Sequence, residues 1–276
     1  MKNEVVKYDN EINKINFKKF NQSDLDTFMK ICLEVCEKGT DTVELPFSEI
    51  KQSIEYDGKS KSQFVLMLIQ FCEKIGTLRI RDTDGELAVI SLFTKLKPIK
   101  SREVLQIKVN KENAHYFNDL NKTFTTVGFK EFINMDSKYS KNLYRLLMQW
   151  RTKGHCPTEY EDKYFTIDEI IFYLDTPNYE PRYIKRDILE PAIAEINKKG
   201  TLGNVVLNVH KAKKRGAPVI GYSFSFEPQN KLTIEQKQAI ECKKTNVTKR
   251  SNKNSFNNFQ QAQYSFDELE EKILSN

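Results

Sequence analysis

The sequence has no apolar segment long enough to span a membrane. Its most apolar run, residues 64–72, is about half the length that a spanning helix needs, and Gln70 interrupts it. The N-terminus has no apolar core of the kind found in a secretory signal. We therefore expect a cytoplasmic protein that has no membrane partner.

The sequence is also poor in the residues that build redox, metal and catalytic sites. The five cysteines contain no C-x-x-C pair, and His155 beside Cys156 has no second pair of ligands nearby in sequence. There is no G-x-x-x-x-G-K-S/T phosphate loop, and no H-x-H pair of the kind that a rolling-circle nickase requires. These absences predict a protein that is not an enzyme and that uses no cofactor or metal.

Positive charge is concentrated in one part of the chain. Residues 1–136 hold 21 Lys and Arg against 21 Asp and Glu, whereas residues 137–226 hold 15 against 10. The tail, residues 227–276, holds 8 against 7. A basic surface on one segment favours a polyanionic partner through phosphate contacts. On charge alone, a surface that serves only solubility explains the surplus equally well.

The first half of the chain has the element order of a winged helix. Apolar residues at helical spacing predict a helix over 23–38, and "DTVEL" predicts a short strand. Helices are expected over about 46–53 and 60–74, followed by a hairpin over 77–93 whose turn is Asp84-Gly85. We predict that this hairpin is the wing of the first domain.

The same order returns in the second half, without visible sequence identity to the first. The predicted elements are a helix over 137–151, the strand "KYFTI", helices over 168–174 and from Pro181 onward, and a hairpin over 205–226. The predicted fold class is α+β, with two tandem winged-helix domains and a flexible tail that ends in a short helix. The predicted boundaries are 1–19 for an N-terminal arm, 20–125, 126–226 and 227–276.

The helix that begins at Pro181 has an apolar face and a basic N-terminal part. Arg182, Lys185 and Arg186 lie in its first two turns, and Pro191 should bend it or force a local rearrangement. A winged helix presents the exposed N-terminal side of its third helix to a DNA major groove, and its hairpin tip reaches the neighbouring backbone. The apolar face consists of Ile184, Ile188, Leu189, Ala192, Ile193 and Ile196.

The predicted DNA contacts of the second domain extend beyond that helix. Lys141, one of the basic residues spread around the helix over 137–151, is also predicted to contact DNA. Arg suits base reading because its planar fork can contact guanine bidentately, whereas Lys acts as a point charge on phosphate. The contacts predicted for the hairpin tip are Lys211, Lys213, Lys214 and Arg215.

Three segments of this domain resemble the C-terminal winged helix of the iteron-binding plasmid replication initiators, the RepA, RepB, RepE and π group. Residues 137–144 are similar to an S-K-Y-S-x-x-L-Y stretch, and residues 189–197 to an L-x-x-A-I-x-E-I-N helix end. Residues 213–216 are similar to a basic K-x-G-R turn, although the wing here reads K-K-R-G. The resemblance covers about residues 100–226, and residues 20–95 match it only in element order.

The resemblance implies a protein that binds repeated double-stranded DNA sites at a plasmid origin, helps to open the origin and recruits host replication proteins. It also implies exchange between DNA-binding monomers and a homodimer formed largely by the first domain. By the same analogy, the first domain's third helix touches a second groove with the polar residues at its entry. These residues are Lys59, Ser60, Lys61, Ser62 and Gln63.

The tail predicts a separate function. Residues 242–263 are rich in Lys, Asn, Ser and Gln, which is typical of a disordered linker. A capping box at Ser265 and Glu268 then begins a short helix over 265–274. This segment is similar to tails of other Gram-positive plasmid and phage replication proteins, including DnaD-like ones. One hypothesis is docking to a helicase, a helicase loader or a primase, and the other is packing on its own domain. The apolar stripe consists of Phe266, Leu269, Ile273 and Leu274.

Two other functions remain open at this point. A transcriptional repressor with tandem winged helices would use the same groove contacts, and only the role of the tail separates it from an initiator. A non-catalytic adaptor of the replisome that has reused winged helices would show no strong DNA affinity.

Overall fold

The structure is a computed structural model that describes residues 4–58, 60–81, 86–120, 123–157, 163–176, 179–213 and 216–229. These residues belong to one compact unit, 1–230. Within them, no helix is both long enough and apolar enough to cross a bilayer.

The chain begins as part of the folded body. Strand β1 (Val5–Asp9) pairs antiparallel with a strand more than a hundred residues later, β8 (Phe124–Gly128). Val6 and Tyr8 are fully buried. A 3₁₀ turn (Asn10–Lys14) leads into strand β2 (Ile15–Asn16), which pairs with strand β4 (Arg79–Arg81). The segment predicted as an N-terminal arm is therefore integrated into the core by two strand pairings.

Three helices and a short strand open the first winged helix. Helix α1 (Gln22–Val35) starts with a capping box between Asn21 and Asp24 and is buried along most of its length. Strand β3 (Thr42–Pro46), helix α2 (Phe47–Ser53) and helix α3 (Lys61–Ile75) follow. This order confirms the predicted sequence of elements.

The wing of the first domain is not the predicted hairpin. Strands β4 and β5 (Leu87–Val89) do pair antiparallel, but they form a separate sheet with β2. The predicted turn at Asp84-Gly85 lies outside the described residues. The strands that join β3 are β7 (Val104–Val109) and β6 (Phe93–Ile99), in the order β3-β7-β6. The physical reason is burial: β7 alternates buried side chains, whereas every residue of β5 is exposed.

The second winged helix follows the prediction closely. A 3₁₀ turn (Lys111–Tyr116) and helix α4 (Phe129–Ile133) precede it in the chain. The sheet has the order β10-β12-β11, with the short β9 also against β12, as expected for a winged helix. The elements are α5 (Lys138–Met148), β9 (His155–Cys156), β10 (Phe165–Thr166), α6 (Ile167–Leu174), α7 (Pro181–Ile184), a π-helical turn (Lys185–Leu189), α8 (Glu190–Lys199), β11 (Val206–Lys211) and β12 (Val219–Ser225).

The π-helical turn is the rearrangement expected from Pro191. Proline has no N–H and its ring collides with the carbonyl four residues earlier, so a regular α-helix is unfavourable here. The turn widens instead, and the N–H of Glu190 donates to the carbonyl of Lys185, five residues back. The chain therefore stays helical through the proline, with Ile184 and Ile188 still buried on one side.

Candidate nucleic-acid interface

The basic end of the Pro181 helix is exposed and lies over one aromatic ring. The side chains of Arg182, Lys185 and Arg186 are 68%, 48% and 70% exposed. The guanidinium carbons of Arg182 and Arg186 lie 4.7 Å and 5.0 Å from the centroid of the half-buried Tyr183 ring. Ile184, buried on the opposite side, fixes the turn to the domain. The structure thus groups the three cations predicted for this helix on one accessible surface.

Each of these cations also has a carboxylate partner. The Nε atom of Arg186 donates to Oδ1 of Asp187 at 2.6 Å, and its Nη2 donates to Oδ2 at 3.1 Å. This hydrogen bonding raises the pKa of Arg186 and lowers the pKa of Asp187. Nη2 of Arg182 lies 2.7 Å from a carboxylate oxygen of Glu180. Nζ of Lys185 lies 3.4 Å from a carboxylate oxygen of Glu190. Any DNA phosphate or base must therefore compete with, or accommodate, an acidic neighbour.

The wing of the second domain contributes at least two exposed cations. Lys211 and Lys213 are exposed, whereas Lys214 and Arg215 lie outside the described residues. Gly216 has φ +82°, a left-handed conformation that favours glycine, which explains why a glycine stands at this position. The N–H of Ala212 donates to the carbonyl of Pro218 at 2.9 Å and joins the two strands at this end of the hairpin.

The L-x-x-A-I-x-E-I-N motif, residues 189–197 at the end of the Pro181 helix, has a structural explanation. Glu195 accepts hydrogen bonds from the backbone N–H groups of Asp136 and Ser137, at 2.6 Å and 3.3 Å, where helix α5 begins. Asn197 bonds both backbone groups of Val205, at the entry to strand β11. These two side chains join α8 to the helix and the strand beside it, and so position the basic end of the helix relative to the wing.

Lys141 was predicted to contact DNA, and that prediction is wrong. The residue is fully buried, and its Nζ donates to Oδ1 of Asp26 at 2.5 Å and to the carbonyl of Phe132 at 2.8 Å. Burial lowers the pKa of Lys141 and raises the pKa of Asp26 to about 6. Lys141 lies on the part of helix α5 that packs against helices α1, α6 and α8, so it has no access to a groove.

Arg145 is a second buried cation of helix α5. Its Nη1 and Nη2 atoms donate to the carbonyls of Ile12 and Ile15, each at 2.9 Å, and Nε donates to Asn142 at 3.2 Å. The guanidinium carbon also lies 4.5 Å from the ring centroid of Phe17. Burial lowers the pKa of Arg145 to about 10. This arginine binds the N-terminal segment to α5, so its role is structural.

The first domain carries a smaller polar surface at the start of helix α3. Ser60 is the N-cap residue, and Lys61, Ser62 and Gln63 are exposed; Lys59 lies outside the described residues. Lys61 forms an ion pair with Glu103, which lies in the turn of the β6–β7 hairpin.

Sequence reasoning missed several polar residues because it assigned the wing to the wrong strands. Arg102, beside Glu103 in the true wing, donates from both terminal nitrogens to the carboxylate of Glu44 at 2.9 Å. Lys95 and Lys97 on strand β6 are exposed. The alternation of "REVLQIKVN" was the available signal, since it marks a half-buried strand beside this turn. Tyr183 and Asp187 were missed because neither residue type suggested a DNA contact.

The apolar stripe proposed for the tail, which consists of Phe266, Leu269, Ile273 and Leu274, lies outside the described residues. Its two interpretations stay predictions.

Two family models match the chain. One is described as "Initiator Replication protein, WH1" and matches residues 5–148, and the other as "Initiator Rep protein, WH2" and matches residues 166–226. The first match includes helix α5, which the topology assigns to the second winged helix. The boundary between residues 125 and 126 therefore stays a prediction.

Similar proteins are known at both the sequence and the structure level. The chain is 27% identical over 237 residues to a probable replication protein, rep, of Bifidobacterium longum (strain NCC 2705), covering 85% of this chain and 76% of that protein. It also resembles the crystal structure of a Pi initiator protein in complex with iteron DNA. That likeness has a TM-score of 0.60 at 19% identity, and it covers 83% of this chain and 99% of the other.

Proposed function

This chain belongs to the Initiator Replication protein family, and we propose that it binds repeated double-stranded DNA sites, iterons, at a plasmid origin. In this proposal it also helps to open the origin and recruits host replication proteins, and it performs no catalysis itself. The observation that carries the proposal is the exposed trio of Arg182, Lys185 and Arg186 on a helix whose opposite side is buried.

The second winged helix is the proposed principal reader of DNA. An α-helix fits the major groove, and Arg side chains at its exposed end can bind guanine bidentately. Lys185 and the wing residues Lys211 and Lys213 suit phosphate contacts, which position the domain without reading sequence. Lys214 and Arg215 are proposed to act with them. The Pi initiator in complex with iteron DNA supports iterons as the class of site.

The first winged helix is proposed to make the second groove contact and a homodimer. Ser60, Lys61, Ser62 and Gln63 lie together at the entry to helix α3, next to the β6–β7 turn through the Lys61–Glu103 pair. Lys59 precedes them in sequence. In this arrangement Lys61 must exchange Glu103 for a phosphate when DNA binds.

The tail is proposed to dock a helicase, a helicase loader or a primase through the helix over 265–274. Deleting residues 242–276 should abolish plasmid maintenance and leave DNA binding unchanged. A repressor would keep its DNA binding and its repression on the same deletion, since it needs only the groove contacts.

The test of the proposed function measures binding and replication together. Direct repeats that lie beside the gene would be compared with a scrambled duplex by fluorescence anisotropy over a salt series. We expect the repeats to bind on the order of a thousandfold more tightly. Equal binding of the two duplexes would contradict sequence recognition. A protein that binds the repeats strongly but never supports plasmid replication would be a repressor.

A further inference from the structure

The carboxylate of Asp187 covers only one edge of the Arg186 guanidinium. A guanidinium has five N–H donors around a plane, and two of them, on Nε and Nη2, point at Asp187. The opposite edge consists of Nη1 and the second hydrogen of Nη2. Among the described residues, no hydrogen-bond acceptor lies on Nη1 of Arg186. The pair therefore holds the arginine while leaving a second two-donor edge available.

The ring of Tyr183 restrains the same guanidinium from another direction. The Arg186 carbon lies 5.0 Å from the ring centroid, which is within the range of cation–π attraction. Arg182 lies over the same ring at 4.7 Å. The Arg186 side chain is 70% exposed and would sample many rotamers without these contacts. Because Asp187 and the Tyr183 ring already restrict it, less side-chain entropy is lost when Arg186 binds DNA.

The available edge has the chemistry that guanine requires. Two parallel N–H donors match the O6 and N7 acceptors that guanine alone presents together in the major groove. A phosphate could also accept from this edge, but Asp187 would then stand beside it and repel it. The negative charge of Asp187 therefore weakens non-specific phosphate contacts and has little effect on the neutral base.

We propose that Asp187 and Tyr183 are positioning residues that hold Arg186 with one edge of its guanidinium free to bind the O6 and N7 atoms of a guanine. This inference rests on the proposed function, and it adds a base identity to it. One guanine in each repeat is read by Arg186, and the strength of that reading depends on two residues that themselves touch no base.

The test replaces each guanine of the repeat, one at a time, by 7-deazaguanine, which lacks the N7 acceptor. Anisotropy of the full-length wild-type protein should show one position where the substitution weakens binding roughly tenfold. Arg186→Ala should bind weakly and lose sensitivity at that same position. Asp187→Asn keeps Arg186 but removes the negative charge beside it. In this variant 7-deazaguanine at the same position should weaken binding by only about threefold or less. Scrambled DNA should be bound as tightly as by wild type, or more tightly.

Matched variants separate positioning from folding. Tyr183→Phe keeps the ring and should behave as wild type, whereas Tyr183→Leu removes it and should lower sensitivity at the same guanine. Glu190→Gln neutralises an acid three residues further along the helix, next to Lys185, and should leave that sensitivity intact. Circular dichroism melting checks that each variant is folded. If Tyr183→Leu proves to be unfolded, the Asp187→Asn result alone decides the proposal.

The outcomes distinguish this inference from the proposed function. If Asp187→Asn keeps the full sensitivity at the guanine read by Arg186, the positioning role is wrong and the proposed function stands. If Asp187→Asn weakens repeat and scrambled DNA equally, the residue is structural and the inference is also wrong. If wild type shows no preference for repeats, the proposed function itself fails.

Discussion

Lys141 and Asp26 form a buried ion pair, with 2.5 Å between Nζ and Oδ1, that joins the first helix of the second winged helix to the first domain. Arg145, one turn further along the same helix, donates to the carbonyls of Ile12 and Ile15. Lys141, which the sequence analysis assigned to DNA, and Arg145 therefore both join helix α5 to earlier parts of the chain. The other predicted DNA contacts, those of the Pro181 helix, the second wing and the entry to helix α3, stay predictions.

Replacing Lys141 by Met should destabilise the protein strongly. The substitution leaves the Asp26 carboxylate buried without a partner, which typically costs about 3–5 kcal/mol in the free energy of unfolding. Urea denaturation at pH 7 measures this loss. The exposed Lys130→Ala is the control and should change stability by no more than about 0.5 kcal/mol. Equal, small effects of the two substitutions would show that the ion pair contributes nothing.

The stability of the protein should depend on pH through Asp26. Burial raises the pKa of Asp26 to about 6, so the folded state binds a proton more tightly than the unfolded chain. The resulting stabilisation is complete below about pH 4 and is lost as the pH rises through about 6. Relative to Asp26→Asn, wild type should therefore lose on the order of 2–3 kcal/mol between pH 4 and pH 7. Urea titrations of both proteins at several pH values measure this difference, and a constant difference would contradict the raised pKa.

Arg145→Lys should loosen the N-terminal segment although the charge is kept. A lysine ammonium lacks the planar fork that reaches both carbonyls, so at least one charge-assisted hydrogen bond is lost and the cost is about 2–3 kcal/mol. Hydrogen exchange should accelerate at residues 10–16 more than in strand β12, which Arg145 does not bond. Unchanged protection of residues 10–16 would mean that this arginine does not hold the segment.

Lys213→Ala should weaken binding to every DNA sequence by a similar factor. A wing lysine acts on phosphate, so its removal should reduce the slope of log K against log salt by about one and leave the ratio of specific to scrambled binding unchanged. Anisotropy over a salt series measures both quantities. A selective loss of repeat binding would make Lys213 a base reader instead.

The second winged helix was predictable from sequence because each of its elements has a local cause. Alternating apolar residues mark both strands of its hairpin, and Pro181 marks the start of the third helix. Pro191 signalled a rearrangement, and the structure shows that the helix continues through a π-helical turn. The form of that rearrangement depends on packing of Ile184 and Ile188, which lies beyond local sequence rules.

The wing of the first domain could not be assigned from sequence because strand pairing is a long-range property. The segment 77–93 carries a strong turn signal and its strands β4 and β5 do pair, yet strand β3 pairs with β7. Lys141 was misassigned for a similar reason. Lysine is mostly exposed, and only the approach of Asp26 from a distant helix makes its burial possible.

We propose that the Pro181 helix reads DNA sequence through Arg186. The most direct measurement is anisotropy of wild type, Arg186→Ala and Lys198→Ala against repeat and scrambled duplexes at one salt concentration. Lys198 is an exposed cation at the far end of the same helix, so its removal controls for loss of one charge. Arg186→Ala should lose roughly tenfold to a hundredfold in affinity for the repeats and little in affinity for the scrambled duplex. Lys198→Ala should bind both duplexes like wild type. Equal losses on both duplexes for Arg186→Ala would contradict the proposal and leave this helix as an electrostatic surface only.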